Sequence, residues 1–235
     1  MDALALHPAR LLLGVAMLAM AAPAAAGSSV MPITVDLKQA RATGQVTLWN
    51  GGDQPMIVQA SAKTWHQVNG HDVYEATNDL IIAPAIAEVP PKSGQLFRVR
   101  LHDPAPGPER TYRLYLEDIT PAMAGHGIAM RIRHDLPVII SPAGGSAMPK
   151  VSPCDAPAEA GCIKVANVGQ RLLKVTGITV EGQGWHTDVT ATGTVLADGW
   201  RQWNFDIPPH AAGPVHVTAT TTAGVATADW TLAPR

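Results

Sequence analysis

Cysteine is almost absent, with Cys154 and Cys162 alone among 235 residues. A cysteine-rich disulfide scaffold and a multi-thiolate metal cluster are thereby excluded. Basic clusters are also missing: 17 Lys and Arg oppose 19 Asp and Glu, a formal net charge of -2. A nearly neutral chain without a lysine or arginine patch gives no electrostatic basis for nucleic-acid binding. Beyond residue 22 no apolar run approaches the ~20 residues of a membrane-spanning helix. Catalytic signatures are lacking as well. There is no Gly-x-Ser-x-Gly elbow, phosphate-binding glycine loop, His-Glu-x-x-His helix or paired-carboxylate motif, so neither an enzyme nor a cofactor is expected. The histidines are scattered; His66 and His71 flank a turn at Asn69-Gly70, too few ligands for a metal site.

What is present begins with Arg10, an apolar run from Leu11 to Ala22, and Ala24-Ala25-Ala26 before Gly27. This order of charge, apolar stretch and small residues is that of an export signal peptide over residues 1–26, cut after Ala26. The mature chain is then expected to be soluble, with no membrane anchor. It retains 209 residues, about right for two domains of ~100 each. Glycine (21) and proline (20) are plentiful and long helix-forming stretches are scarce, so short strands and turns must carry the fold.

Strands are expected at 33–37, 45–50, 56–65, 80–83, 95–101, 112–119 and 127–140, separated by turn clusters such as Asn50-Gly51-Gly52-Asp53 and Asn69-Gly70. Seven strands at that spacing suit an immunoglobulin-like sandwich. After a Pro/Gly/Ser linker a second series follows at 163–167, 172–180, 185–195, 200–205, 215–220 and 225–232. Both halves contain a strand ending in asparagine and glycine, at Trp49-Asn50-Gly51 and at Asn167-Val168-Gly169. The expected fold class is therefore all-β, two tandem immunoglobulin-like sandwiches, with domains at 27–142 and 150–235 and the linker at 143–149. In an oxidising export compartment Cys154 and Cys162 are expected to form a disulfide; a redox or metal pair would need Cys-x-x-Cys spacing and a neighbouring histidine. Six tryptophans, spread over both halves at strand positions, read as packing rather than as a ligand platform.

The most informative stretch is His126 to Pro142. Ile128, Met130, Ile132, Leu136 and Val138 recur at even spacing, which places them on one face of an extended strand. One face of such a strand must enter its own core, and periodicity alone does not say which residues remain to be offered outward.

Several segments match a known family in order and spacing: Val46-Thr-Leu-Trp-Asn50, Asp79-Leu-Ile-Ile-Ala-Pro84, Pro91-Lys-Ser-Gly-Gln-Leu-Phe-Arg98, Glu109-Arg-Thr-Tyr-Arg-Leu-Tyr-Leu-Glu-Asp-Ile119 and Leu136-Pro-Val-Ile139. On these the chain resembles the PapD-like periplasmic chaperones of the chaperone/usher pathway. Its wording at Trp65, Tyr74 and Leu136-Pro137-Val138 looks closer to the branch that assembles Csu-type, spore-coat-like fimbriae. The resemblance implies two immunoglobulin-like domains in a boomerang arrangement and a periplasmic location. It also implies fimbrial or pilus subunits and an outer-membrane usher as partners. The last strand of the first domain would fill the groove of a subunit that lacks its own last strand, with Ile128, Met130 and Ile132 as the donated residues.

The same resemblance implies a basic anchor for a subunit carboxylate, formed in better-known members by an arginine on the first strand and a lysine near the end of the donor strand. Here those places hold Thr34 and Asp135, which leaves Lys38, Arg41, Arg131 and Arg133 as candidates. Arg98 and Glu109 fall where the family has members of an ionic network between domains. The competing expectation is an exported tandem sandwich that binds carbohydrate as an adhesive module or handles metal.

Overall fold

The computed structural model describes residues 27–38, 43–103, 107–121, 130–154, 161–209 and 211–232. Its first ten strands are β1 (Ser28–Met31), β2 (Val35–Lys38), β3 (Thr43–Asn50), β4 (Met56–Val68), β5 (His71–Ala76), β6 (Leu80–Ala83), β7 (Ile86–Val89), β8 (Ser93–Leu101), β9 (Arg110–Asp118) and β10 (Arg133–Ser141). They form two facing sheets, one ordered β1-β3-β8-β6 and the other β2-β10-β9-β4-β5 with β7 on the edge of β4. Alternation along each strand sets the core. Val46 and Leu48 of β3 and Phe97 and Val99 of β8 point inward, against Val58 of β4, Leu114 and Leu116 of β9, and Leu136, Val138 and Ile140 of β10.

The strand expected at 33–37 corresponds to β2 (Val35–Lys38), and β1 (Ser28–Met31) precedes it as a strand that was not anticipated. β1 pairs with β3 in one sheet, the chain breaks at Pro32, and β2 crosses to the other sheet and pairs in parallel with β10. Pro32 has no N–H to prolong the ladder with β3, so the chain leaves that sheet there. β5 and β7 add strands that were not anticipated. β5 returns from the Asn69-Gly70 turn, whose φ values of 51° and 79° are both positive, the geometry that favours Asn-Gly in two-residue hairpins.

The second sandwich contains β11 (Pro149–Pro153), β12 (Gly161–Asn167), β13 (Leu173–Gly182), β14 (Trp185–Val189), β15 (Gly193–Val195), β16 (Trp200–Phe205), β17 (Gly213–Thr221) and β18 (Gly224–Leu232). One sheet is β11-β12-β16 and the other β14-β13-β17-β18, with β15 on β13. Cys154 and Cys162 are joined in a disulfide that closes the β11–β12 hairpin. No helix occurs among the described residues.

Each sandwich buries one asparagine at the end of a strand, β3 in the first and β12 in the second. Asn50 donates from Nδ2 to the carbonyls of Gln54 (2.9 Å), Val89 (3.0 Å) and Pro90 (3.2 Å), and its Oδ1 accepts the Gly52 N–H at 2.9 Å. Asn167 donates to Arg171 O (2.7 Å) and Leu196 O (3.1 Å) and accepts from Met148 N (3.0 Å) and Gly169 N (3.1 Å). A buried amide survives only when such partners replace water. The asparagine shared by both halves of the sequence is thus a knot that ties its own turn to distant chain, residues 89–90 at Asn50 and residues 148 and 196 at Asn167.

Candidate functional site

β10 is paired along nearly its whole length on one side and along only part of it on the other. Its antiparallel register with β9 runs from Arg133↔Glu117 to Ile140↔Arg110, and the Asp118 N–H donates to Ile132 O at 3.0 Å, in step with that register. That bond identifies Ile132 and Asp118 as a hydrogen-bonded pair. Even-numbered residues of β10 therefore direct their backbone groups to β9, and odd-numbered residues direct theirs to the opposite edge. On the opposite edge β2 pairs only with Val138–Ser141. Among the described residues no strand pairs with Arg133–Pro137 on that side, so the backbone N–H and C=O groups of Arg133 and Asp135 face an open edge.

Pro137 explains where that edge ends. Proline in the middle of a strand normally costs a ladder bond. Pro137 is opposite Arg113 in a non-hydrogen-bonded pair, so its missing N–H lies on the side away from β9 and the β9 ladder stays intact. The cost falls on the open edge, one residue before β2 takes over.

The side chains divide the same way. Leu136, Val138 and Ile140 are buried in the first core. Met130, of the same parity beyond the paired part of the strand, is 84% exposed. Ile132 is half-buried, and a Cβ on Gly27 would lie only 2.8 Å from its Cδ1, so the residue that leads into β1 lies against it. His134 is held there too, its Nε2 2.8 Å from Ser28 Oγ, and burial keeps its pKa below the usual histidine value. Ile128 lies outside the described residues. Of the strand expected from residue 127, residues 127–129 lie outside the described residues, and β10 begins at Arg133, because β9 ends at Asp118 and no described neighbour gives Met130 and Arg131 a ladder on either side.

The outward face of this sheet is a lattice of cations and rings. The Arg113 guanidinium is 4.2 Å from the Trp65 ring and 5.8 Å from that of Tyr74, and Arg133 is 5.1 Å from the Tyr115 ring. Lys63 reaches the same ring at 6.0 Å. Such contacts hold long charged side chains in place at a sheet surface. Burial, with the nearby Asp135 charge adding to it, pushes the Tyr115 phenol up.

The basic anchor candidates are dispersed. Arg131 and Arg133 are exposed beside the open edge, Lys38 is at the far end of β2 opposite Ser141, and Arg41 lies outside the described residues. Arg98 and Glu109 are not brought together. Arg98 is exposed on β8, whereas the Glu109 Oε1 accepts the Leu172 N–H at 2.6 Å, a contact from the first domain to the second. Burial raises the Glu109 pKa despite that hydrogen bond.

The interdomain network was not visible in the sequence. Asp72 of β5 accepts from Trp65 Nε1 (2.9 Å) and Gln67 Nε2 (3.0 Å) and pairs with Arg201 of β16. Gln67 also donates to Thr194 O (2.9 Å) and accepts from Leu196 N (3.1 Å). Burial works to raise the Asp72 pKa, but hydrogen bonds from Trp65, Gln67 and Arg201 outweigh it and hold the carboxyl below its ordinary value. A Cβ on Gly70 would come within 2.6 Å of the Trp200 ring, so the β4–β5 turn sits directly on the second domain. Its Asn-Gly dipeptide announced the turn, but nothing in it announced the partner. Among the described residues no three His, Cys, Asp or Glu side chains converge as a metal site.

These features define a two-sandwich, strand-edge protein, and the comparisons place it in a family. The sequence model of the pili and flagellar-assembly chaperones, PapD N-terminal domain, matches residues 27–146, and the chain belongs to that family. No curated protein sequence matches it. Among solved structures, the CsuC–CsuE chaperone–tip adhesion subunit pre-assembly complex of Acinetobacter baumannii is similar at 15% identity and a TM-score of 0.62, over 88% of this chain and 98% of that one. The class 5 fimbriae chaperone CfaA gives the same TM-score at 13% identity, over 89% and 100%. The SafA pilin–SafB chaperone complex of Salmonella enterica gives 0.58 at 13% identity, over 88% and 96%. Likeness at these identities establishes the fold and does not single out the Csu-type branch.

Proposed function

We propose that this chain is a periplasmic chaperone that binds fimbrial or pilus subunits by donor-strand complementation and hands them to an outer-membrane usher. The observation that carries this is the division of β10: its lower half is locked into its own sandwich, while its upper half has an open edge leading to exposed Met130. An unpaired edge is a template for another strand, and pairing satisfies its free N–H and C=O groups. Met130 and Ile128, with Ile132 once it is released from Gly27, are the residues to enter a subunit's groove. Burial of each contributes about 1.5–3 kcal/mol before the costs of ordering. Structural relatives that were solved with a tip adhesion subunit or a pilin support the same reading. A subunit carboxylate is best served by Arg131 or Arg133, which stand at the open edge; Lys38 stands at the wrong end of it.

The test is co-purification of the full chain with a pilus subunit from periplasm, with and without Met130→Asp. The wild type is expected to carry a small β-rich subunit identified by mass spectrometry. The variant is expected to lose it while keeping its circular dichroism and melting temperature. A folded variant that still carries the subunit would move the binding site elsewhere.

A further inference from the structure

The open edge carries a charge pattern as well as free backbone groups. Arg133 and Asp135 are the two residues whose N–H and C=O groups point to it, and both side chains stand on the outward face of the sheet. Neither charge is free to wander. Arg133 rests on the Tyr115 ring and forms no ion pair among the described residues, although Glu117 is its cross-strand neighbour. Asp135 is ion-paired with Arg113, accepting from its Nη1 at 3.5 Å while staying partly exposed, and Arg113 is itself stacked on Trp65. An aromatic floor thus presents one cation and one anion, two residues apart, to whatever strand arrives.

We propose that this edge selects a partner strand with one acidic and one basic side chain two residues apart on the same face, the acid opposite Arg133 and the base opposite Asp135. This inference rests on the strand-donation reading above. Opposite charges directly across a ladder stabilise it and like charges destabilise it. The register is fixed from both directions. A partner sliding toward Ser141 meets the Pro137 gap and then β2, which already occupies the edge from Val138. A partner sliding two residues the other way brings its base opposite Arg133 and its acid opposite Arg131, so that one of its two charge pairs turns repulsive. The specificity resides in outward residues, so it is separate from the apolar row that fills the subunit's groove.

The probes are nine-residue extended peptides, acetylated and amidated to remove terminal charges, with a central Glu-Xaa-Lys, Glu-Xaa-Glu or Lys-Xaa-Lys and identical apolar residues. Binding to the full-length mature protein is followed through the amide resonances of Arg133 and Asp135. The wild type is expected to bind the mixed peptide about fivefold more tightly than either like-charged one. Arg133→Glu is expected to shift the preference to Lys-Xaa-Lys and Asp135→Lys to Glu-Xaa-Glu, with both preferences fading in 1 M salt. If all three peptides perturb these amides equally and neither variant shifts the order, the charge rule is wrong while the open edge stands. If no peptide perturbs either amide, the edge is not a docking site and strand donation through it falls as well.

Discussion

The two sandwiches share one device and differ in another. Asn50 and Asn167 are buried to the same degree, close the same kind of strand end, and are each satisfied by carbonyls and N–H groups from separate segments. At their edges the domains part company. β10 of the first domain leaves half of one side unpaired in the middle of a strand that is otherwise core, whereas β12 of the second is paired with β11 and β16 along nearly its full length. The buried asparagine is common to both sandwiches, and the half-paired interior strand β10 sets the first apart. What is common to both halves is accordingly structural, and what is peculiar to the first half is the better guide to function.

The largest expected effect tests the knot. Asn50→Ala leaves the carbonyls of Val89 and Pro90 without their buried donor and is expected to cost about 2–4 kcal/mol. Asn167→Ala is expected to cost a similar amount in the second domain. Denaturant unfolding followed by tryptophan fluorescence in each domain checks this, and a cost spread evenly over both domains would show that they unfold as one unit. Within β10 the contrast is sharper. Leu136→Ala removes a buried side chain and should cost about 2–4 kcal/mol, whereas Met130→Ala should change stability by less than about 0.5 kcal/mol. Comparable losses at both positions would mean that Met130 belongs to its own core.

Legibility followed the same divide. The all-β class, the Asn-Gly turn and the alternating core of β3, β8 and β9 were readable because a period of two and the chemistry of glycine and asparagine act locally. The division of β10 was not. Even residues 130 to 140 carry one unbroken parity, and only the lengths of β9 and β2, which lie far away in the chain, decide where burial begins. The interface network escaped for a similar reason. Asp72, Gln67 and Arg201 are ordinary polar residues on separate strands, and their meeting depends on how one domain sits on the other. Arg98, by contrast, carried the family's charge but remained on the outside of β8.

Smaller effects test the contacts between and within domains. A double-mutant cycle of Asp72→Asn with Arg201→Gln should give a coupling of about 1 kcal/mol, since both side chains keep some solvent. The pair should also weaken in acid. The Asp72 pKa is depressed in the folded state, so its stabilisation is complete above the unfolded value of about 4 and is lost as pH falls through the folded one. Glu109 has the opposite sign. Its raised pKa means that its contribution is complete below its unfolded value and declines as pH rises through the folded one. The smallest effect belongs to His134, whose pKa burial lowers, so that stability should fall slightly as pH drops below the unfolded histidine value of about 6.5. Melting temperature against pH for wild type and His134→Gln should diverge only there.

Pro137 has a mechanical consequence. A strand that lends one end while staying fixed at the other needs a point past which tugging is not transmitted, and a residue with nothing to give on the lending side supplies it. Traffic at the upper end can begin and finish with the hydrogen bonds between β2 and the rest of β10 undisturbed. Under the strand donation proposed above, exchange at the upper end would leave the first domain's own sheet pairing in place.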